Sequence, residues 1–145
     1  MTNPAQPYNL VLRVAAKMLI PLILMFALYV QFHGDFGAGG GFQAGVIFAA
    51  ALVLYELVFG ETSARSLVPP RWLPRLAALG VLIYGGVGVY SLLAGRPFLD
   101  YSVLADDPVH GQQLGVLLVE AGVGIAVFSV VLLIFYAFSG RSRRP

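Results

Sequence analysis

Apolar residues in this chain gather into four long runs, separated by short polar stretches. The runs cover about residues 10–32, 42–59, 73–94 and 114–138. A helix rises about 1.5 Å per residue, so about twenty residues cross a 30 Å hydrocarbon layer. Each run is near that length, and the pattern predicts four transmembrane helices. Within the runs, small residues recur at helical steps. Gly45, Ala49, Leu52 and Glu56 form one stripe in the second. Ala77, Gly80, Tyr84, Gly88, Ser91 and Gly95 form a seam in the third, and Gly111, Gly115, Gly122, Ala126 and Ser129 one in the fourth. Such stripes let neighbouring helix backbones approach closely.

Composition strengthens this reading. Hydrophobic residues make up 59% of the 145 and charged residues 11%, against about 25% charged in a soluble domain. The expected fold is an all-α integral membrane protein forming a single membrane domain over residues 1–145. A cleaved signal peptide is the less favoured reading of the first run, because Gln31, Phe32 and His33 follow it rather than a small-residue cleavage site. Cysteine is absent, which excludes disulfides, thiolate metal sites and cysteine nucleophiles.

Charge sets the expected topology. Of nine Lys and Arg residues, only Arg96 falls on one side of a four-crossing chain. Arg13, Lys17, Arg65, Arg71, Arg75, Arg141, Arg143 and Arg144 fall on the other. The positive-inside bias therefore predicts that the N and C termini are both cytoplasmic. The basic residues lie at helix ends rather than on one face, so nucleic acid is not an expected partner.

Candidate chemistry is sparse. No nucleophile–base constellation and no phosphate loop is present, and no cofactor is expected. Asp100, Asp106, Asp107 and His110 lie in the second polar loop without metal-ligand spacing, so that loop is expected to be a solvated cap and no metal site is expected. Three ionisable groups remain inside the runs: Glu120, Glu56 and Lys17. Such groups point to ion or proton handling. Lys17 either snorkels to the interface or turns inward to an acid on a neighbouring helix. Glu56 lies on the packed stripe of its helix, with an interfacial role and a functional one evenly open. Glu120 sits about 140° round the helix from the glycine stripe. Facing lipid it would cost about 2.5–3.5 kcal/mol on insertion scales. A protein cover supplied by other subunits is the expected explanation.

The hairpin from His33 to Gln43 is the distinctive stretch: five of its eleven residues are Gly. Together with the flanking run LIPLILMFALYVQF, it resembles the MnhB (MrpB) family, small subunits of the Mrp-type multisubunit sodium/proton antiporters. Tyr29, Val30, Phe32, His33, Gly34, Gly39, Gly40, Gly41, Phe42, Gln43 and Gly45 match that family's hairpin, and Glu120 to Gly124 its Glu-x-Gly-Val-Gly segment. Ala38 stands where the family commonly has Pro. The resemblance implies a small subunit of a cation/proton (Na+/H+) antiporter in a bacterial cell membrane: a transporter component, not an enzyme, partnered by other Mrp subunits, the lipid bilayer, Na+ and H+. Within it, Glu120 and Glu56 are candidates for the cation pathway, and Lys17 a third. The hairpin is expected to lock helices rather than to carry chemistry. A purely structural assembly subunit, of an Mrp-like or membrane-hydrogenase complex, is the alternative; a self-sufficient homodimeric transporter is a remoter one.

Overall fold

The computed structural model describes residues 7–34 and 40–140. Five α-helices make up nearly all of it: α1 (Pro7–Phe32), α2 (Gly41–Phe59), α3 (Glu61–Leu67), α4 (Leu73–Leu93) and α5 (Pro108–Ser139). Short 3-10 turns at Pro70–Trp72 and Tyr101–Leu104 complete the chain order. Among the described residues there is no strand. Four helical stretches are long and apolar enough to cross a membrane: Leu10–Phe32, Gly41–Phe59, Pro70–Leu93 and Pro108–Gly140. The all-α, four-span architecture expected from the hydropathy pattern is therefore present.

Helix α5 is the centre of the bundle, with α4 against one face, α2 against another, and α1 outside α2. Small residues make both α5 faces possible. A Cβ added to Gly122 would lie 2.8 Å from the carbonyl oxygen of Gly80, and one added to Gly80 would lie 2.7 Å from the Ala126 nitrogen. On the other side, a Cβ at Gly45 would lie 2.6 Å from the Gly124 carbonyl oxygen. At both crossings backbone meets backbone, which only small residues permit. Further along, Ala49, Leu73, Leu132 and Tyr136 form one buried cluster, and Ala16, Ile20 and Ala51 join α1 to α2 in another. Pro21 lies inside α1, which runs through it as one helix.

Three features depart from the expected pattern. The connector after α2 contains α3, a short helix with Glu61 and Arg65 one turn apart and ion-paired at 2.7 Å. Gly60 begins it with φ 96°, a left-handed value that favours glycine. Helix α5 starts at Pro108 rather than at 114. Asp107 caps it by accepting from the Val109 amide at 3.1 Å, with Pro108 in the first turn, where a missing amide proton leaves no helical bond unmade.

The loop between α4 and α5 is also more than a solvated cap. Phe98 fills the space over Gly88, where a Cβ would lie 2.6 Å from its ring Cδ2. Tyr101 lies over Gly111 and against Gly115, and burial, with Tyr84 nearby, raises its pKa above 10.0. Between the two aromatics Leu99 takes φ 64°, and the Asp100 carbonyl accepts from the buried Ser91 hydroxyl at 2.9 Å. Part of the glycine seam on α4 and α5 thus receives aromatic side chains from this loop instead of another helix.

Candidate functional site: a carboxylate seated in the glycine hairpin

The hairpin is closed by one carbonyl. The oxygen of Val30 accepts from the amides of His33, at 3.4 Å, and Gly40, at 3.2 Å, tying the end of α1 to the start of α2. Gly40 caps α2 with φ 118° and ψ −176°, a conformation essentially confined to glycine. His33 stacks on Tyr29 with ring centroids 4.3 Å apart. Gly39 and Ala38 lie outside the described residues. Phe42 and Gln43 point outward from the first turn of α2, whereas Gly41 and Gly45 are buried against α5.

Glu120 sits against this hairpin. A Cβ at Gly34 would fall on its carboxylate, 2.8 Å from Oε2; one at Gly40 would lie 2.8 Å from Oε1. A Cβ at Gly41 would strike the Glu120 backbone carbonyl, 2.7 Å from its carbon. One turn further along α5, Gly124 faces Gly41 and Gln31, whose Oε1 would lie 2.8 Å from an added Cβ. The Gln31 amide nitrogen is buried with no hydrogen-bond partner among the described residues. Below it, Gln31, Gly45, Phe48, Ala121, Gly124, Ile125 and Phe128 line an apolar cavity of about 230 Å³.

This placement corrects two expectations. The angular offset of Glu120 from the glycine stripe is real, but the covering protein is the chain's own α1–α2 hairpin. No further polypeptide is needed to explain why the carboxylate is half-buried. The hairpin and Glu120 are also one place rather than two, so the glycines form the seat of the carboxylate as well as a helix turn. Glu120 lies six residues, about 9 Å, inside the apolar run that begins at 114. An acid at that depth is costly unless paired or hydrated.

Glu56 lies at the other end. It is 5% exposed, and its Oε1 accepts from the Ser139 hydroxyl at 2.9 Å. Fifteen residues of helix, about 22 Å, separate it from the level of Gly41 and hence from Glu120. The two carboxylates do not form one site. Lys17 is on the exposed side of α1, away from the Ala16 and Ile20 face that meets α2. Among the described residues it forms no ion pair with either acid. His110 pairs with Asp107 at 3.1 Å on the surface, and no group of three metal-ligating side chains occurs among the described residues.

Gln31 and Gly124, the latter noted only within the Glu120 to Gly124 segment, were not expected at the site. Their signal was present: Gly124 is four residues from Glu120, hence on the same helix face, and Gln31 is the lone uncharged polar side chain in an apolar run.

Four long apolar helices packed through small residues define a multi-pass membrane protein. The chain belongs to a specific family of these. Residues 11–133 match the family model described as a domain related to the MnhB subunit of Na+/H+ antiporter. The chain is 30% identical over 139 residues to a Na(+)/H(+) antiporter subunit of Bacillus subtilis, covering 89% of this chain and 96% of that protein. It is also 30% identical over 135 residues to putative antiporter subunit mnhB2 of Staphylococcus aureus, covering 91% and 95%.

Proposed function

We propose that this chain is a small membrane subunit of a multisubunit Na+/H+ antiporter, assembled with other subunits in a bacterial cell membrane, and that Glu120 lines part of its cation pathway. Membership of the MnhB-related family supports the first part. The observation that carries the second is the Glu120 carboxylate, seated against Gly34 and Gly40 within an apolar helix. A carboxylate exchanges readily between ionised and protonated forms. It can therefore alternate between a sodium ion and a proton, which is what secondary antiport requires of a pathway group. Gly34, Gly40 and Gly41 present no Cβ to it.

The end of the bundle carrying Arg13, Arg65, Arg71 and Arg75 faces the cytoplasm in this reading, by the positive-inside bias. Glu120 is then nearer the outer surface, and Glu56 nearer the inner. Lys17, on the exposed face of α1, reaches the interface or a partner subunit.

A structural role is the second reading. The fit of Glu120 into its own hairpin favours it, since that contact also fixes α5 to α2. The variant Glu120→Gln separates the two. As a pathway residue, its loss abolishes sodium/proton exchange per assembled complex while leaving subunit content intact. As a structural residue, its loss lowers complex yield, and the complex that forms exchanges normally.

A further inference from the structure

A second constellation lies at the far end of the bundle from Glu120. Glu56 on α2 and Arg65 on α3 close on the last turn of α5 from two sides. Glu56 is held by Ser139 through Oε1. A Cβ at the next residue, Gly140, would lie 3.6 Å from an Arg65 guanidinium nitrogen. Tyr136, one turn earlier, lies between them: Arg65 sits over its ring with Cζ 5.2 Å from the centroid. The Tyr136 hydroxyl donates to the Val68 carbonyl at 3.5 Å.

Two buried polar atoms here have no hydrogen-bond partner among the described residues: Glu56 Oε2 and Arg65 Nε. One is an acceptor, or a donor when protonated; the other is a permanent donor. Buried groups of this kind are ordinarily satisfied by protein or by water, and a buried water needs two to four polar partners. Glu56 Oε2 and Arg65 Nε are two such groups at one end of the bundle, and the Ser139 and Tyr136 hydroxyls lie on the last turn of α5 beside them. Arg65 is meanwhile ion-paired with Glu61 at 2.7 Å, and both side chains are partly exposed.

We propose that Glu56, Arg65, Tyr136 and Ser139 form a proton-loading site that holds one neutral water molecule and connects the buried Glu56 carboxylate to the aqueous phase beside Glu61. This rests on the antiporter reading of the chain. Glu56 accepts the proton and Arg65 is a positioning residue. In the loading step one O–H bond of that water breaks and an H–Oε2 bond forms on Glu56, while the water oxygen takes up a proton from the aqueous side. Water and a neutral carboxylic acid remain, and release is the reverse. Arg65 stays with Glu61 throughout and orients the water through Nε. The charged and titratable groups at the Glu56 end of the bundle are Arg65 and Glu61 from α3, paired with each other, and Tyr136 from α5, under Arg65. Arg13 of α1 lies at the same end, over Phe59; Arg75 of α4 is over Trp72.

The test uses the intact antiporter complex, purified with all its subunits and reconstituted in vesicles. Proton uptake after a pH step and the pH profile of sodium/proton exchange are measured for the native complex, Glu56→Gln, Arg65→Gln and Glu120→Gln. The proposal expects Glu56→Gln to take up about one proton fewer per copy of this chain and to lose exchange by about 100-fold, as for a removed acid–base group. It expects Arg65→Gln to displace the pH profile with subunit content unchanged. Unaltered uptake and an unaltered profile in an intact Glu56→Gln complex overturn it. Should Glu56→Gln fail to assemble, Arg65→Gln decides alone, and an unchanged profile overturns the proposal. Loss of exchange in Glu120→Gln with native behaviour in Glu56→Gln removes the loading site and leaves the antiporter reading standing. A native complex that exchanges no sodium for protons removes the antiporter reading itself, while proton uptake still reports on Glu56.

Discussion

The seat beneath Glu120 can be tested by adding single carbon atoms to it. Gly41→Ala places a Cβ against the Glu120 backbone carbonyl, 2.7 Å from its carbon and 3.0 Å from its Cα. Backbone on the central helix cannot rotate aside as a side chain can, so α2 and α5 must separate locally. Overpacking of this kind costs about 1–3 kcal/mol. Gly60→Ala serves as a first control. It has φ 96° and ψ 158°, a conformation essentially confined to glycine, but a Cβ there meets nothing within 4 Å, so it isolates the backbone strain of about 1–3 kcal/mol. Gly85→Ala is a second control. That glycine is inside α4 with open space around it, and alanine there is expected to be neutral or to stabilise by up to about 1 kcal/mol. Gly40→Ala combines both penalties, because its φ is 118° and its Cβ would meet Glu120 Oε1 at 2.8 Å. The assay is thermal unfolding of the purified complex, with subunit content checked by gel. Gly40→Ala, which carries both penalties, is expected to lose most, Gly41→Ala and Gly60→Ala to fall below native by about 1–3 kcal/mol each, and Gly85→Ala to stay at native or above. Gly41→Ala with native stability would refute the close α2–α5 approach at Glu120.

Other consequences concern the loop and the helix ends. Asp107→Ala removes the cap of α5 and should cost about 1 kcal/mol, seen as faster hydrogen exchange at the Val109 amide. Tyr101→Ala should free the space over Gly115, which the Tyr101 side chain fills, and cost about 2 kcal/mol from lost burial, measured by the same unfolding assay. Tyr101 ionises later in the folded chain than in the unfolded one. Its contribution is therefore complete below pH 10.0 and is lost as the pH rises through its higher folded value. Asp100 behaves oppositely: hydrogen bonds from the Ser102 side chain and amide hold its carboxyl below the usual 3.8. Its contribution is present above that value and disappears as the pH falls through the folded one. Ser102→Ala should move the Asp100 titration back toward 3.8, as read by carboxyl NMR.

The four crossings were legible because twenty-residue apolar runs have few other uses, and the α2 stripe through Gly45, Ala49 and Glu56 indeed faces α5. What covers Glu120 was not legible. A helical wheel fixes the angle between Glu120 and Gly122 but not which neighbour occupies each side. Helix α5 carries small residues on two faces and so has two partners, and only the assembled bundle shows that the second is the hairpin. Helix α3 was hidden by its brevity, since seven residues give too little periodicity to separate helix from loop. The packing of Phe98 and Tyr101 was hidden by their acidic neighbours, which made the whole loop read as solvated. Asp107-Pro108 is a recognisable helix start that the polar character of the following residues masked.

The central claim is that Glu120 is a pathway carboxylate that a cation can reach. Hydrophobic carbodiimides modify protonated carboxyl groups in apolar surroundings, and a bound cation protects the carboxylate it occupies. The most direct measurement is the rate of carbodiimide labelling at Glu120 in the assembled complex, resolved by peptide mass spectrometry, with sodium and with choline at equal ionic strength. The account predicts labelling at Glu120 that sodium slows and choline does not. Labelling at the same rate in both salts would contradict it.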